Sequence, residues 1–148
     1  MRRYSSSGSD TNTASTTMIG ITSTSAIRPA IYDLLISSVA TPADNAGDWQ
    51  FQRHTAAGTS TGFTPVALDP GDPASTATSG VNHTVEPTYT ANAIVLRVAV
   101  NQRNTLRWVA RDGSELKMPA TAANGLSLLS NAVGGSAVAF LFCVLFSE

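Results

Sequence analysis

Charge is what this chain has least of, and lysine is the scarcest charge. Charged residues fill 13% of the 148 positions, and Lys117 is the one lysine; ordinary soluble domains carry about 25%. With a formal net charge of −1 there is no global pull toward nucleic acid, so no direct nucleic-acid partner is expected. Cysteine is nearly missing as well. Cys143 stands alone, which excludes an internal disulfide, and in its apolar surroundings the expected state is a buried, inert thiol. Two histidines, His54 and His83, have no second Cys or His at ligand spacing. That excludes a structural zinc site and leaves them as ordinary loop residues. No apolar run reaches the ~20 residues of a membrane helix. The strongest, Ala137 to Phe146, is bounded by Gly134-Gly135 and Ser147-Glu148 and predicts a strand buried on both faces. After Arg2 and Arg3 come Ser, Thr and Gly instead of an apolar segment, so neither a secretory leader nor a membrane partner is expected.

Hydroxyl groups stand where the charges are missing: 17 serines and 18 threonines. A surface of short hydroxyls repels its own kind weakly and suits extended strands and close protein contact. Nearly all the basic residues are arginine, whose planar guanidinium makes directional contacts at interfaces. Between Asp33 and Glu86 the acids face a lone Arg53, whereas Arg97, Arg103, Arg107, Arg111 and Lys117 crowd one later segment. That segment reads either as the solvated outside of a sheet or as a basic face for an acidic partner.

The same segment carries the strongest structural signal. AIVLRVAV, the pair Asn101-Gln102, RNTLRWVA and then Arg111-Asp112-Gly113 predict a β-hairpin followed by a second turn. Leu106, Trp108 and Ala110 fall on one face and Thr105, Arg107, Val109 and Arg111 on the other, giving a dry and a wet side. Met18–Ile27 and Trp49–Arg53 also alternate as strands, and Ala30–Ala40, which fits a strand or one short helix, is read as a strand from its β-branched content and the preceding Arg28-Pro29. Trp49 and Trp108 on such strands serve as core plugs, the other role being to stack bases or sugars. Thr55–Thr90 reads as a long irregular stretch, locked in the middle by Asp69-Pro70-Gly71-Asp72-Pro73. Turn signals at these intervals predict an all-β single domain, a β-sandwich or jelly roll, over residues 18–148. Residues 1–17 have no hydrophobic period and predict an extended N-terminal arm.

Chemical motifs are few. No Gly-x-Ser-x-Gly elbow marks a nucleophile. Asp44 with Asp48, and Asp69 with Asp72, miss calcium-loop spacing and fit turn chemistry. The glycine-rich stretch Gly58–Gly62 is followed by no lysine, so it is not a phosphate loop. Asn82-His83-Thr84 fits a glycosylation acceptor by pattern alone. No catalytic residue, metal or cofactor is expected, and the chain is not expected to be an enzyme.

Taken together, MRRYSSSGSD, RPAIYDLLISS, GFTPVALDPGDPAS and AIVLRVAVNQRNTLRWVARDGSELKMPATAANGLSL resemble small virion proteins of tailed bacteriophages, the capsid decoration (cement) proteins. The likeness extends to about Leu129. It implies a homotrimeric sandwich or jelly-roll subunit on the outer capsid surface, stapling neighbouring copies of the major capsid protein and stabilising the DNA-filled head. The implied location is the virion, with the host cytoplasm during assembly. An arm that adds a strand to a neighbour, anchored by Arg2, Arg3 and Tyr4, fits such a role. So do contacts from Asp69, Pro70 and Asp72 in the proline loop and from Arg103 and Arg107 in the basic segment. Two other roles fit the same pattern: a tail or head-to-tail connector protein, and a carbohydrate-binding jelly-roll module.

Overall fold

Alternating apolar and hydroxyl residues along most of the sequence fold as strands, and among the described residues there is no helix. The computed structural model describes residues 1–148, the side chains at 132 and 133 excepted. One sheet contains β1 (Arg3–Thr11), β3 (Ala30–Ser38), β6 (Val66–Ala67), β9 (Leu106–Val109), β10 (Leu116–Lys117) and β12 (Ala139–Ser147). The other contains β2 (Thr16–Thr22), β4 (Ala46–Ala56), β5 (Thr59–Phe63), β7 (Thr78–Val85), β8 (Thr88–Asn101) and β11 (Gly125–Val133). The first sheet runs β10-β3-β12-β1-β6, with β9 also on β3; the second runs β5-β7-β2-β11-β4-β8. Every pairing is antiparallel. The all-β sandwich expected from the sequence is what forms.

The core lies between the sheets. From β12, Phe140, Phe142, Val144 and Phe146 point inward and are buried. Phe140 meets Trp49 of β4 edge-on, with ring centroids 4.8 Å apart, the arrangement aromatic quadrupoles favour. Trp49 is fully buried and is a core plug, whereas Trp108 is half-buried and packs against the edge of the core.

Four expectations need correction. Residues 3–11 are not an arm. They form β1, hydrogen-bonded between β12 and β6 in an unbroken register from Arg3↔Ser147 to Thr11↔Ala139, and the domain therefore starts at residue 3 instead of 18. Its inward residues are Tyr4, Ser6 and Gly8, two of them small, so no hydrophobic period announces the strand. Small is what the site needs. A Cβ on Gly8 would lie 2.9 Å from Val81 Cγ1 and 3.0 Å from Phe142 Cε2, and Ser6 Oγ donates across the sandwich to Ser79 Oγ at 2.5 Å.

The predicted hairpin is the second correction. Both strands exist, but β8 pairs with β4 in one sheet and β9 with β3 in the other. Neither Asn101 nor Gln102 adopts the left-handed backbone that a two-residue hairpin loop requires. Gln102 is instead buried as a pin: its N–H donates to Asn45 O (2.8 Å), its Nε2 to Ser136 O (2.8 Å), and its Oε1 accepts from Ala43 N (3.1 Å). That pin carries the chain from one sheet to the other. The Asp112-Gly113 turn does form, with Gly113 at φ +81°, as a loop between β9 and β10, which share the β3 edge.

Third, β12 is interior but dry on one face only. Leu141, Cys143 and Leu145 look outward, and Leu141 is 46% exposed. Fourth, the stretch 55–90 is not irregular, since it supplies β5, β6, β7 and the start of β8.

Candidate functional site

Three segments meet at one end of the sandwich. Arg2 and Glu148 exchange backbone hydrogen bonds, N to O at 3.1 Å and 3.0 Å. The Glu148 carboxylate then gathers the chain after the proline loop, accepting from Ser75 Oγ (2.6 Å), Thr76 N (3.1 Å) and Ala77 N (2.9 Å). Within the loop, Asp69 Oδ1 accepts from Gly71 N at 2.8 Å, and Asp72 N donates to Asp69 O at 3.0 Å, the self-bonded turn that Asp beside Pro and Gly favours. Arg2 Nε lies 3.9 Å from Asp72 Oδ1, and Tyr4 OH donates to Pro73 O at 3.2 Å.

Of the residues expected to make contacts, Arg2, Tyr4, Asp69, Pro70 and Asp72 thus come together. Tyr4 is nevertheless fully buried, stacked on Phe146 with centroids 5.7 Å apart. It is a core residue that holds the loop from beneath, not an anchor offered to a partner. Arg3 points elsewhere, its guanidinium 5.5 Å over the Tyr32 ring. Met1, Arg2, Leu68, Asp69 and Pro70 are exposed at this end, on a base fixed by Glu148.

The basic segment is not one face. Arg97 on β8 grips Asp48 on β4 with three hydrogen bonds of 2.5–3.1 Å. On the other sheet Arg107 of β9 grips Asp33 of β3 in the same way, at 2.6–3.2 Å. The Arg97 fork, helped by Asn131 at 2.8 Å, holds the Asp48 carboxyl below its ordinary range. Arg103 sits on the crossing loop, where its backbone N donates to Asn101 Oδ1 at 2.9 Å. Splitting the strands between sheets therefore scatters these arginines and pairs two of them within the chain. Sequence reasoning missed both acidic partners, because each lies far away in the sequence.

The outside of the first sheet is a second surface, unforeseen in the sequence. Strand register lines up Ser9, Leu141 and Ser37, then Ser7, Cys143, Leu35 and Arg107, then Val66, Ser5, Leu145, Asp33 and Val109. A shallow groove of about 500 Å³ runs along Leu35, Leu141 and Cys143, edged by Ser7, Ser9 and Ser37. In these three rows the charges are Asp33 and Arg107, already paired. Cys143 is half-buried and faces out, its Sγ 3.4 Å from Ser5 Oγ; the expectation of a buried thiol is corrected.

On the second sheet Glu86 and Tyr89 bridge over one patch of the outside, while Val85 and Ile94 stand exposed elsewhere on it. Glu86 accepts from Thr17 N at 3.0 Å and from the Thr17 hydroxyl, which also meets Tyr89 OH at 2.5 Å. Beneath them His54 Nδ1 lies 2.9 Å from Ser127 Oγ, and its Nε2 3.4 Å from Thr22 Oγ1. Both histidines belong to strands, β4 and β7, and not to loops as expected. Burial pushes His54 down to about 4, with the nearby His83 adding to the effect, and pushes the Tyr89 hydroxyl up to about 12. His54 is 2% exposed and Ser127 not at all, so this pair has no path to a substrate and works as a structural bond.

Among the described residues, no group of three or more His, Cys, Asp or Glu gathers as metal ligands would, and no helix is long and apolar enough to cross a membrane. No family model, curated protein or solved structure matches the chain.

Proposed function

We propose that this chain is a capsid decoration protein, a structural subunit of a virion that binds the outer capsid surface and staples neighbouring copies of the major capsid protein. The observation that carries this reading is the clamped end of the sandwich. Glu148, Arg2 and Tyr4 tie the proline loop to the sheet, so that Met1, Arg2, Leu68, Asp69 and Pro70 are presented on a fixed base. A contact surface ordered before binding loses little conformational entropy when it docks. Many modest contacts repeated over a shell then add up by multivalency. The hydroxyl-rich composition and the internally paired arginines suit close protein contact without strong self-repulsion.

The test is to mix the purified chain with capsids that lack it and measure occupancy by sedimentation. Arg2→Ala combined with Asp69→Ala and Leu68→Ser leaves the core untouched and is expected to lower occupancy severalfold. Full occupancy by this variant, or no binding by the parent, contradicts the proposal.

A further inference from the structure

We infer that the middle of the ribbon formed by β4–β5 and β7–β8 is an acid-released strap, which lifts from the second sheet as pH falls while the sandwich beneath stays folded. Only Ala57-Gly58 separates β4 from β5, and only Glu86-Pro87 separates β7 from β8. Pairing continues from Ala56↔Thr88 to Thr59↔Val85, so the four strands make one long antiparallel ribbon. One half of it is bonded to β11 through β4, the other half to β2 through β7, and β2 and β11 are bonded to each other. The ribbon therefore arches over the outer side of the β2–β11 pair. Gly58, at φ +71°, permits the bend, since a Cβ there would lie 2.2 Å from Val85 O.

Both histidines of the chain lie at this arch, on glycines that leave room for them. A Cβ on Gly125 would lie 2.6 Å from His54 Nε2, and Cβ atoms on Gly20 and Gly80 would lie 3.6 Å and 3.9 Å from His83 Nε2. A hollow of about 120 Å³, walled by Thr22, Ser60 and Thr78, opens beside His83. The strap proper, residues 55–62 and 82–89, is tied down by polar bonds. Glu86 accepts from Thr17 N and the Thr17 hydroxyl, and that hydroxyl meets Tyr89 OH. The core residues of the same strands, Trp49, Phe51 and Val81, come before the strap on β4 and β7. Lifting it therefore gives up hydrogen bonds and little apolar burial, the mark of a segment that opens by itself.

The groups around the two rings set the direction. His54 meets hydroxyls from β2 and β11, those of Thr22 and Ser127, and its register partner on β8 is Tyr89. Arg53 beside it is engaged elsewhere, donating to Lys117 O at 2.9 Å. Burial holds His54 down at about 4, and the charge that His83 carries once protonated adds to this. His83 is lowered by burial too, against the pull of Glu86, the Thr17 backbone and, from β1, Asp10. At pH 7 both rings are neutral and the strap is closed. Opening returns them to water and to their ordinary affinity for protons, so acid favours the open form. With about 4 closed and ~6.5 open, the His54 proton alone raises the open population about 20-fold between pH 7 and pH 5.

The experiment follows amide hydrogen exchange of the purified chain at pH 7 and pH 5, corrected for intrinsic rates, with circular dichroism reporting the fold at both. Residues 55–62 and 82–89 should lose protection about 20-fold or more at pH 5. They should exchange there while β3 and β12 remain protected and the spectrum stays native. His54→Gln should shrink the ratio between the two pH values. His83→Gln, at a half-buried position, should shrink it as well and serves if the first variant does not fold. The inference is overturned by a strap indifferent to pH, by a strap that exchanges together with β12, or by unfolding of the whole chain at pH 5. A ratio that stays at the parent's value in the folded variant overturns it too.

Discussion

Glu148 Oε1 accepts a hydrogen bond from the backbone N–H of Ala77 at 2.9 Å, joining residues 71 positions apart. With the bonds from Ser75 Oγ and Thr76 N, one carboxylate satisfies three donors on a segment that has no strand partner of its own. Glu148→Ala should strand those donors and cost about 1–3 kcal/mol. Amide hydrogen exchange should rise across residues 68–77 and stay unchanged in β12. Unaltered protection of that loop would mean that Tyr4 and the Asp69 turn suffice to hold it.

The placement of β1 makes a second prediction. Gly8→Ala puts a methyl group 2.9 Å from Val81 Cγ1 and 3.0 Å from Phe142 Cε2, and overpacking of this kind costs about 1–3 kcal/mol. Deleting residues 1–10 should unfold the domain, because it removes a central strand and exposes the edges of β12 and β6. A truncated chain that melts like the parent would restore the arm.

Acid should weaken the fold through His54. Its folded value of about 4 lies below the ordinary ~6.5 of the unfolded chain. The native ring is therefore neutral, and the unfolded state takes up the proton first as pH falls. The stability this contributes is complete above pH ~6.5 and is lost progressively down to pH ~4, at most about 3 kcal/mol. His83, also lowered by burial, acts in the same direction. Thermal melts at pH 7 and pH 4.5 should show a smaller acid-induced drop for His54→Gln than for the parent. Equal drops would place the acid sensitivity elsewhere.

The core face of β12 is tested by Phe142→Ser. Phe142 is 2% exposed, and losing its ring while burying a hydroxyl should cost on the order of ~3 kcal/mol or more. A shift in melting temperature of only a degree or two would show the face to be loosely packed.

Several of these features were legible in the sequence and others were not, for physical reasons. Leu106, Trp108 and their neighbours alternate with a period of two, so their strand and its inward face could be read directly. The Asp69–Pro73 turn is built from local bonds, and local chemistry is visible in local sequence. Pairing is not local. Nothing within β8 or β9 says that their partners are β4 and β3, and a short polar link between two strands looks like a hairpin until Gln102 is seen pinned to Asn45 and Ser136. β1 was hidden because its inward side uses Ser6 and Gly8, where the opposing sheet leaves no room for anything larger. The run from Ala137 to Phe146 is apolar throughout, which reads as burial on both faces, although Leu141 on the outer face is 46% exposed. At the clamped end, the Arg2 and Asp69 segments could be singled out separately. That Glu148 would join them could not, since a single carboxylate carries no pattern.

Salt should act on capsid attachment. Arg2 is 56% exposed and its contact with Asp72 is long, at 3.9 Å, so its charge remains available to a partner. Arg2→Ala should lower capsid occupancy at low ionic strength, and Arg3→Ala, whose guanidinium lies over Tyr32, should not. The gap between Arg2→Ala and the parent should close as salt rises toward 1 M, where the screening length falls to ~3 Å. A gap independent of salt would mean that the Arg2 side chain acts through shape.

The copy number on the capsid tests the central claim most directly. Purified particles imaged at a resolution that separates subunits should show this chain spread over the outer shell, at a stoichiometry near that of the major capsid protein. A few copies confined to one vertex, or none on the shell, would contradict the assignment as a decoration protein.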